Sequence, residues 1–212
     1  INQRRRILDS YYENRLFFNL IFLLLIATII VIVILLLTLR KTGRMNRHIN
    51  QLATYDHLTG IFNRGSGIKA LEKYMGNRKN YGEDICICFM DLNKLKDVND
   101  AFGHGEGDAF IAKFSEITKS KIKEEHIFCR MGGDEFMLVL KDATETMGEK
   151  ICRDIKKALL EASDLSSKAY EYSASIGLYH FVIDEATKVN DMIEKADSLM
   201  YEDKDNYRKR HR

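Results

Sequence analysis

The stretch Arg130-Met131-Gly132-Gly133-Asp134-Glu135-Phe136 places two glycines directly before two carboxylates. Apolar residues typical of β-strands flank it, over 127–131 and 136–140. A Gly-Gly pair between two such runs predicts a tight hairpin, because both turn positions can adopt positive φ. We therefore expect Asp134 and Glu135 at the hairpin tip. Carboxylates at a glycine turn can hold a divalent cation, and glycine lets a phosphate come close to the backbone.

Composition places few limits on function. The chain has 212 residues, enough for one domain and an additional segment, and its 33 basic and 31 acidic side chains give a net charge of +2. This near balance gives no general indication of nucleic-acid binding. The four cysteines include no C-x-x-C pair, so we interpret them as core residues in a reducing compartment. Because the first residue is Ile1, we expect the chain to be part of a longer protein.

An apolar segment lies near the start of the chain. Residues 16–39 contain no charged side chain, and as a helix they would extend roughly 36 Å, enough to cross a bilayer core of about 30 Å. A basic run follows the segment, which favours a transmembrane helix over a cleaved signal peptide. Residues 40–52 then form a linker. Its single apolar heptad fits either a solvated connection or a dimerising signalling helix.

Strand and helix patterns alternate over 53–212. The apolar runs at 85–90, 127–131, 136–140 and 172–182 predict strands, and the periodic runs at 107–123, 146–161 and 189–204 predict helices. Such alternation indicates an α/β domain with helices over a central sheet.

Asp91 ends the first of these apolar runs. A carboxylate at the C-terminal end of a central strand lies where α/β sheets usually bind ligands, although Asp91 could instead cap the following helix. With Asp134 and Glu135 it would form an acidic cluster, and such carboxylates repel one another unless cations lie between them. A pair of divalent ions is a common arrangement for nucleotidyl transfer.

Four motifs in this order resemble the GGDEF family of diguanylate cyclases. They are the hairpin above, the opening Asp56-His-Leu-Thr-Gly-Ile-Phe-Asn63-Arg64, the gap-free stretch from Asp91 through Lys96, Asn99 and Gly103-His104 to Gly107-Asp108, and the closing segment Ala196-Asp197 to Lys204 and Arg208. The resemblance covers roughly 52–208. It implies a nucleotidyl-cyclase-like α/β domain with a central, mostly antiparallel five-stranded sheet flanked by helices, here preceded by one transmembrane helix.

The resemblance also implies an activity. The protein would condense two GTP molecules into cyclic di-GMP and two pyrophosphates, acting as a homodimer with one GTP per subunit. Asp91, Asp134 and Glu135 would be catalytic. Two Mg²⁺ or Mn²⁺ ions per site would be held by these three residues and by Leu92 through its carbonyl oxygen.

Substrate contacts follow from the same motifs. They are implied for Lys96, Asn99, Asp108, Gly132, Gly133, Lys204 and Arg208. Asn99 and Asp108 would read the guanine edge, since an amide can donate and accept while a carboxylate accepts. Lys204 and Arg208 are four residues apart on one helix face and would hold the β- and γ-phosphates. Alternatively, these two cations only complement the helix C-terminus.

The implied substrate fixes an expected location. GTP is cytosolic, so residues 53–212 would lie in the cytoplasm, at the inner membrane of a bacterial cell, with a single span in this chain and residues 1–15 on the outer side. Charge alone does not decide the orientation, because basic residues occur on both sides of the span. The expected partners are GTP, a second copy of the chain, membrane lipid and an upstream sensor domain, but no nucleic acid.

Several positions depart from the family pattern. Asn93 stands where many members have Asp, Leu95 replaces Phe, and Tyr207 replaces Gly. The segment Lys123-Glu-Glu-His126 stands where many members have the Arg-x-x-Asp motif of a product-inhibition site, so we expect no tight product inhibition. Two alternatives stay open: a catalytically weak regulatory module that binds GTP, and another nucleotidyl cyclase on a similar fold.

Overall fold

The computed structural model describes residues 54–210, together with Arg15, Thr28, residues 32–36 and Thr38. The chain divides into two compact units, residues 1–51 and 52–212. In the first unit the described residues are helical. Among the described residues, no helix combines the length and the apolar character needed to cross a bilayer. Most of the predicted span at 16–39 and all of the predicted linker at 40–52 lie outside the described residues.

The described part of the second unit contains five strands and five α-helices. The strands are β1 (Phe62–Asn63), β2 (Asp84–Leu92), β3 (Ile127–Gly132), β4 (Glu135–Lys141) and β5 (Ala174–Val182). The helices are α1 (Arg64–Met75), α2 (Leu95–Phe102), α3 (His104–Lys121), α4 (Glu145–Leu165) and α5 (Val189–Arg210). A short 3₁₀ helix, Arg78–Asn80, follows α1.

The strands form one sheet in the order β1-β3-β4-β2-β5. The expected five-stranded sheet flanked by helices is confirmed. The expectation of a mostly antiparallel sheet needs correction, because the sheet is mixed: β1 runs parallel to β3, while β3–β4, β4–β2 and β2–β5 are antiparallel. The parallel pairing is possible because a long crossover separates β1 from β3. A two-residue strand carries too little pattern to be predicted.

Strand β2 lies at the centre of the domain and is buried on both faces. Its alternate side chains enter two apolar clusters. One cluster combines Cys86, Cys88 and Met90 with side chains of α2, α3 and α4, including Val98, Phe110 and Leu159. The other combines Ile85, Ile87 and Phe89 with side chains of α1 and α5, including Leu71, Met192 and Met200. The helices therefore form one layer on each side of the sheet. The four cysteines are free thiols, three of them buried.

Helix α5 lies unusually close to β5 at Gly177. A Cβ atom on Gly177 would lie 2.1 Å from the backbone nitrogen of Met200 and 2.2 Å from the carbonyl oxygen of Ala196. Next to it, the backbone N–H of Ile176 donates to Asp203 Oδ2 at 2.9 Å. These contacts fix the depth at which α5 meets the sheet, and therefore the positions of side chains one turn further along.

Candidate active site

Asp91 and the hairpin acids lie at one end of the sheet. In the β2–β4 register Asp91 lies opposite Glu135. The turn consists of Gly133 and Asp134, because Gly132 belongs to β3. Gly133 has a φ of 47°, a left-handed conformation that glycine adopts at little cost. Asp134 therefore lies at the hairpin tip as expected, whereas Glu135 already belongs to β4.

Two anchors hold the hairpin tip. The backbone N–H of Leu92 donates to the carbonyl oxygen of Asp134 at 3.1 Å. The Arg130 guanidinium donates to the carbonyl oxygen of Gly133 at 2.7 Å and pairs with Asp56 at 3.2 Å. Burial alone would raise the pKa of Asp56, but hydrogen bonds from Thr59 and the Arg130 charge bring that pKa below its usual value. The tip is thus tied both to the end of β2 and to the segment before β1.

Asp91 forms an ion pair with Lys204 of α5. Lys204 Nζ lies 2.7 Å from Asp91 Oδ1, and the Asp91 side chain is only 7% exposed. Burial raises the pKa of Asp91 and the Asp134 charge adds to this, while Lys204 and Arg208 oppose it.

Glu135 is in a similar electrostatic position. Burial raises its pKa, and so do the charges of Asp134, Asp91 and, from α5, Asp197. Clustered carboxylates of this kind are stabilised by a divalent cation, and their hard oxygen atoms are ligands that Mg²⁺ and Mn²⁺ prefer. The donor chemistry therefore fits the expected ions. Within residues 54–210, however, no three acidic, His or Cys side chains are grouped closely enough to hold a metal.

A cavity of about 420 Å³ adjoins the acids. It is bounded by the end of β2, the first turn of α2, the hairpin tip and the last turns of α5. Its lining residues are Leu92, Asn93, Lys94, Leu95, Lys96, Asp97, Asp134, Lys204, Tyr207 and Arg208. Five of them were expected from the motifs: Leu92, Lys96, Asp134, Lys204 and Arg208. The cavity is predominantly cationic, which suits an anionic ligand.

Asn99 and Asp108 do not line this cavity. They lie near the junction of α2 and α3. Asn99 Oδ1 occupies the space beside Gly107, where an added Cβ would approach it to 2.0 Å, and Asp108 is the next residue. Asn99 is half-buried and Asp108 is exposed. The structure therefore places both expected guanine contacts near this junction, outside the cavity that the expected phosphate contacts line.

The two polar departures from the motif pattern lie beside the cavity. Asn93 is buried, and its Oδ1 accepts a hydrogen bond of 2.8 Å from the Ser175 hydroxyl. Tyr207 accepts a hydrogen bond of 3.3 Å from the Ser173 hydroxyl. Asn93 and Tyr207 therefore join the cavity wall to the start of β5 and the segment before it. Sequence reasoning missed Lys94 and Asp97 as lining residues, although both closely follow the Asp91 motif.

Comparisons with known proteins agree on one family. The family described as "Diguanylate cyclase, GGDEF domain" matches residues 53–210. The bifunctional diguanylate cyclase/cyclic di-GMP phosphodiesterase MucR of Pseudomonas aeruginosa is 30% identical over 162 residues, which cover 76% of this chain and 24% of MucR. Diguanylate cyclase A of Treponema denticola is 26% identical over 171 residues, which cover 78% of this chain and 45% of that protein. The matched region thus spans less than half of either relative.

A solved structure supports the fold. The GGDEF domain of DgcB from Caulobacter crescentus, in complex with c-di-GMP, matches with a TM-score of 0.67 at 21% sequence identity. The match covers 73% of this chain and 91% of that chain.

Proposed function

Because the chain belongs to the GGDEF family of diguanylate cyclase domains, we propose that it condenses two GTP molecules into cyclic di-GMP with release of two pyrophosphates. One observation carries the proposal. Asp91, Glu135 and Asp134 lie at the same end of the sheet, and Asp134 lines a predominantly cationic cavity of about 420 Å³ there. Acids next to cations are the pairing that transfer of a nucleotidyl group requires, since one side serves the attacking hydroxyl and the other the triphosphate.

The cations would bind and orient the triphosphate. Lys96, Lys204 and Arg208 line the cavity, and Lys204 reaches Asp91 at 2.7 Å. A triphosphate in the cavity would offer Lys204 a second anionic partner next to the acid that it already contacts. Arg208 now pairs with Asp205 at 3.4 Å on the exposed helix end, a weak contact that a phosphate can replace.

The acids would act on the attacking 3′-hydroxyl. Two Mg²⁺ or Mn²⁺ ions would be held by Asp91, Asp134, Glu135 and the Leu92 carbonyl oxygen. When bound, such ions neutralise the charge of the triphosphate and activate the hydroxyl. Burial and neighbouring acids raise the pKa of Glu135, so its carboxylate is suited to accept the hydroxyl proton.

Guanine recognition and assembly complete the proposal. Asn99 and Asp108, near the α2–α3 junction, would hydrogen-bond the base. Each subunit would bind one GTP, so product formation requires two copies. Residues 16–39 would anchor the chain in a bacterial inner membrane, with residues 53–212 in the cytoplasm. In signal transduction from an upstream sensor domain, the membrane helix and the linker at 40–52 would control the distance between the two catalytic domains.

Incubation of the purified chain with GTP and Mg²⁺, followed by chromatography, tests this proposal. We expect cyclic di-GMP from the wild type and none from Asp134→Ala, with an unchanged melting temperature. Asp164→Ala removes an exposed acid of α4 and serves as the matched control. Absence of cyclic di-GMP from a demonstrably dimeric sample would contradict the proposal. GTP binding without product would instead favour the non-catalytic regulatory module.

A further inference from the structure

We propose that Lys94, oriented by the ring of Tyr207, is a further cationic contact for the terminal phosphates of the nucleotide. This inference rests on the function proposed above and deepens it. Lys94 is not one of the two cations expected from the closing motif, Lys204 and Arg208. Lys94 and Tyr207 line the same cavity as those two cations.

The backbone at Lys94 points to a functional constraint. Lys94 is the residue before α2, with φ 57° and ψ 21°, and its side chain makes no capping hydrogen bond. A left-handed conformation is costly for a lysine, and such strain tends to occur at functional sites. Here it places a lysine at the N-terminus of an eight-residue helix, where the helix dipole already favours an anion.

The distribution of ion pairs distinguishes Lys94 from Lys204 and Arg208, the two expected cations of the closing motif. Lys204 is paired with Asp91 and Arg208 with Asp205. Within residues 54–210, Lys94 forms no ion pair. Its ammonium lies 6.0 Å from the centroid of the Tyr207 ring instead. A cation that faces an aromatic ring keeps its charge available for an incoming anion, which an ion pair does not.

Tyr207 is held firmly enough to orient a lysine. It is half-buried and its hydroxyl accepts a hydrogen bond from Ser173. Its ring borders the main cavity and a neighbouring cavity of about 340 Å³ between α2 and Tyr170, and Lys94 lines both. The Lys94–Tyr207 pair therefore forms part of the wall between them. A phosphate in the main cavity would meet the ammonium at this wall.

Nucleotide affinity tests the role of Lys94. Dissociation constants are measured on the purified chain with Mg²⁺ for GMP and for a GTP analogue with a methylene group between the α- and β-phosphorus atoms, which cannot release pyrophosphate. Lys94→Asn removes the charge, and Asn tolerates a left-handed backbone. We expect about tenfold weaker binding of the GTP analogue, the effect of one lost charge-assisted contact, and unchanged binding of GMP. Lys94→Arg should retain most of the affinity.

Two further variants test the ring, and one controls for net charge. Tyr207→Phe keeps the ring and should bind the GTP analogue like the wild type, whereas Tyr207→Leu should bind it about threefold more weakly, as expected for a lost cation–π contact at a partly exposed site. Lys157→Met removes a lysine of α4 that is 76% exposed and should leave both affinities unchanged. Melting temperatures of all variants separate loss of binding from loss of folding.

The possible outcomes distinguish this inference from the proposed function. Unchanged affinity of Lys94→Asn for the GTP analogue, or equal weakening for GMP and the analogue, would overturn the role of Lys94. Lack of cyclic di-GMP from wild-type protein that still binds the analogue through Lys94 would overturn only the proposed activity. Failure of the wild type to bind the analogue at all would overturn both.

Discussion

Replacement of Gly177 by alanine tests how closely α5 packs against β5. The new Cβ would lie 2.1 Å from Met200 N, 2.2 Å from the Ala196 carbonyl oxygen and 2.6 Å from the Leu199 carbonyl carbon. All three atoms belong to the helix backbone, which cannot rotate away as a side chain can. Restoring an ordinary contact of 3.4 Å requires α5 to move by about 1.3 Å.

The size of the effect follows from this displacement. Overpacking of a well-ordered core costs roughly 1–3 kcal/mol, and a clash with rigid backbone belongs at the upper end, near 3 kcal/mol. For a domain of this size that corresponds to a fall in melting temperature of roughly 6–12 °C. The affinity for GTP should also fall. Lys204 lies one turn beyond Met200, and its 2.7 Å contact with Asp91 does not survive such a shift of the helix.

Thermal denaturation monitored by circular dichroism is the assay, with Gly105→Ala as the matched control. Gly105 lies in the first turn of α3 and an added Cβ there meets no atom within 4 Å, so alanine should be neutral or slightly stabilising. A Gly177→Ala protein that melts within about 2 °C of Gly105→Ala would refute the close approach of α5, since the overpacking cost would then be absent.

Three further outcomes are expected. Asp91→Asn should abolish product formation yet stabilise the domain at pH 8, because burial outweighs Lys204 in setting the Asp91 pKa. Because the pKa of Asp91 is raised, the wild type loses stability as the pH rises through that pKa and the carboxylate becomes charged. In urea unfolding, the stability gain of Asp91→Asn over the wild type should therefore shrink as the pH is lowered. A gain that grows on acidification would contradict the argument. Asp108→Ala should reduce the preference for GTP over ATP about tenfold in competition binding, against the control Asp164→Ala. Added cyclic di-GMP should cause no tight noncompetitive inhibition, because His126 stands where the inhibition motif has its carboxylate; strong inhibition at low micromolar product would contradict this.

The strands and most helices could be predicted because their apolar patterns are long. Strand β2 and the hairpin strands are continuous apolar runs, and they lie within a residue or two of the expected positions. The turn lies one residue later than predicted, because a register shift between Arg130 and Gly132 keeps Gly132 in β3. Helix α1 escaped prediction because its first turns contain Gly65 and Gly67, which weaken a helical pattern.

The residue types of the site could be predicted, but not their pairing. Motif spacing identifies Asp91 and Lys204 separately, and nothing in the sequence indicates that they contact each other. That contact depends on how deeply α5 packs against β5, which is set by the absence of a side chain at Gly177. The left-handed backbone conformation of Lys94 could not be predicted from the sequence either, because lysine has no preference for that conformation.

The bond between Arg130 and Asp56 bears on how the domain can be shortened. A protein cut to begin at residue 60 would retain all five described strands and the acids Asp91, Asp134 and Glu135. It would lose the carboxylate partner of a guanidinium whose side chain is only 13% exposed, leaving that cation with the Gly133 carbonyl oxygen alone. Such a protein would fold with a loosened hairpin tip. Domain boundaries for expression should therefore be placed before Asp56.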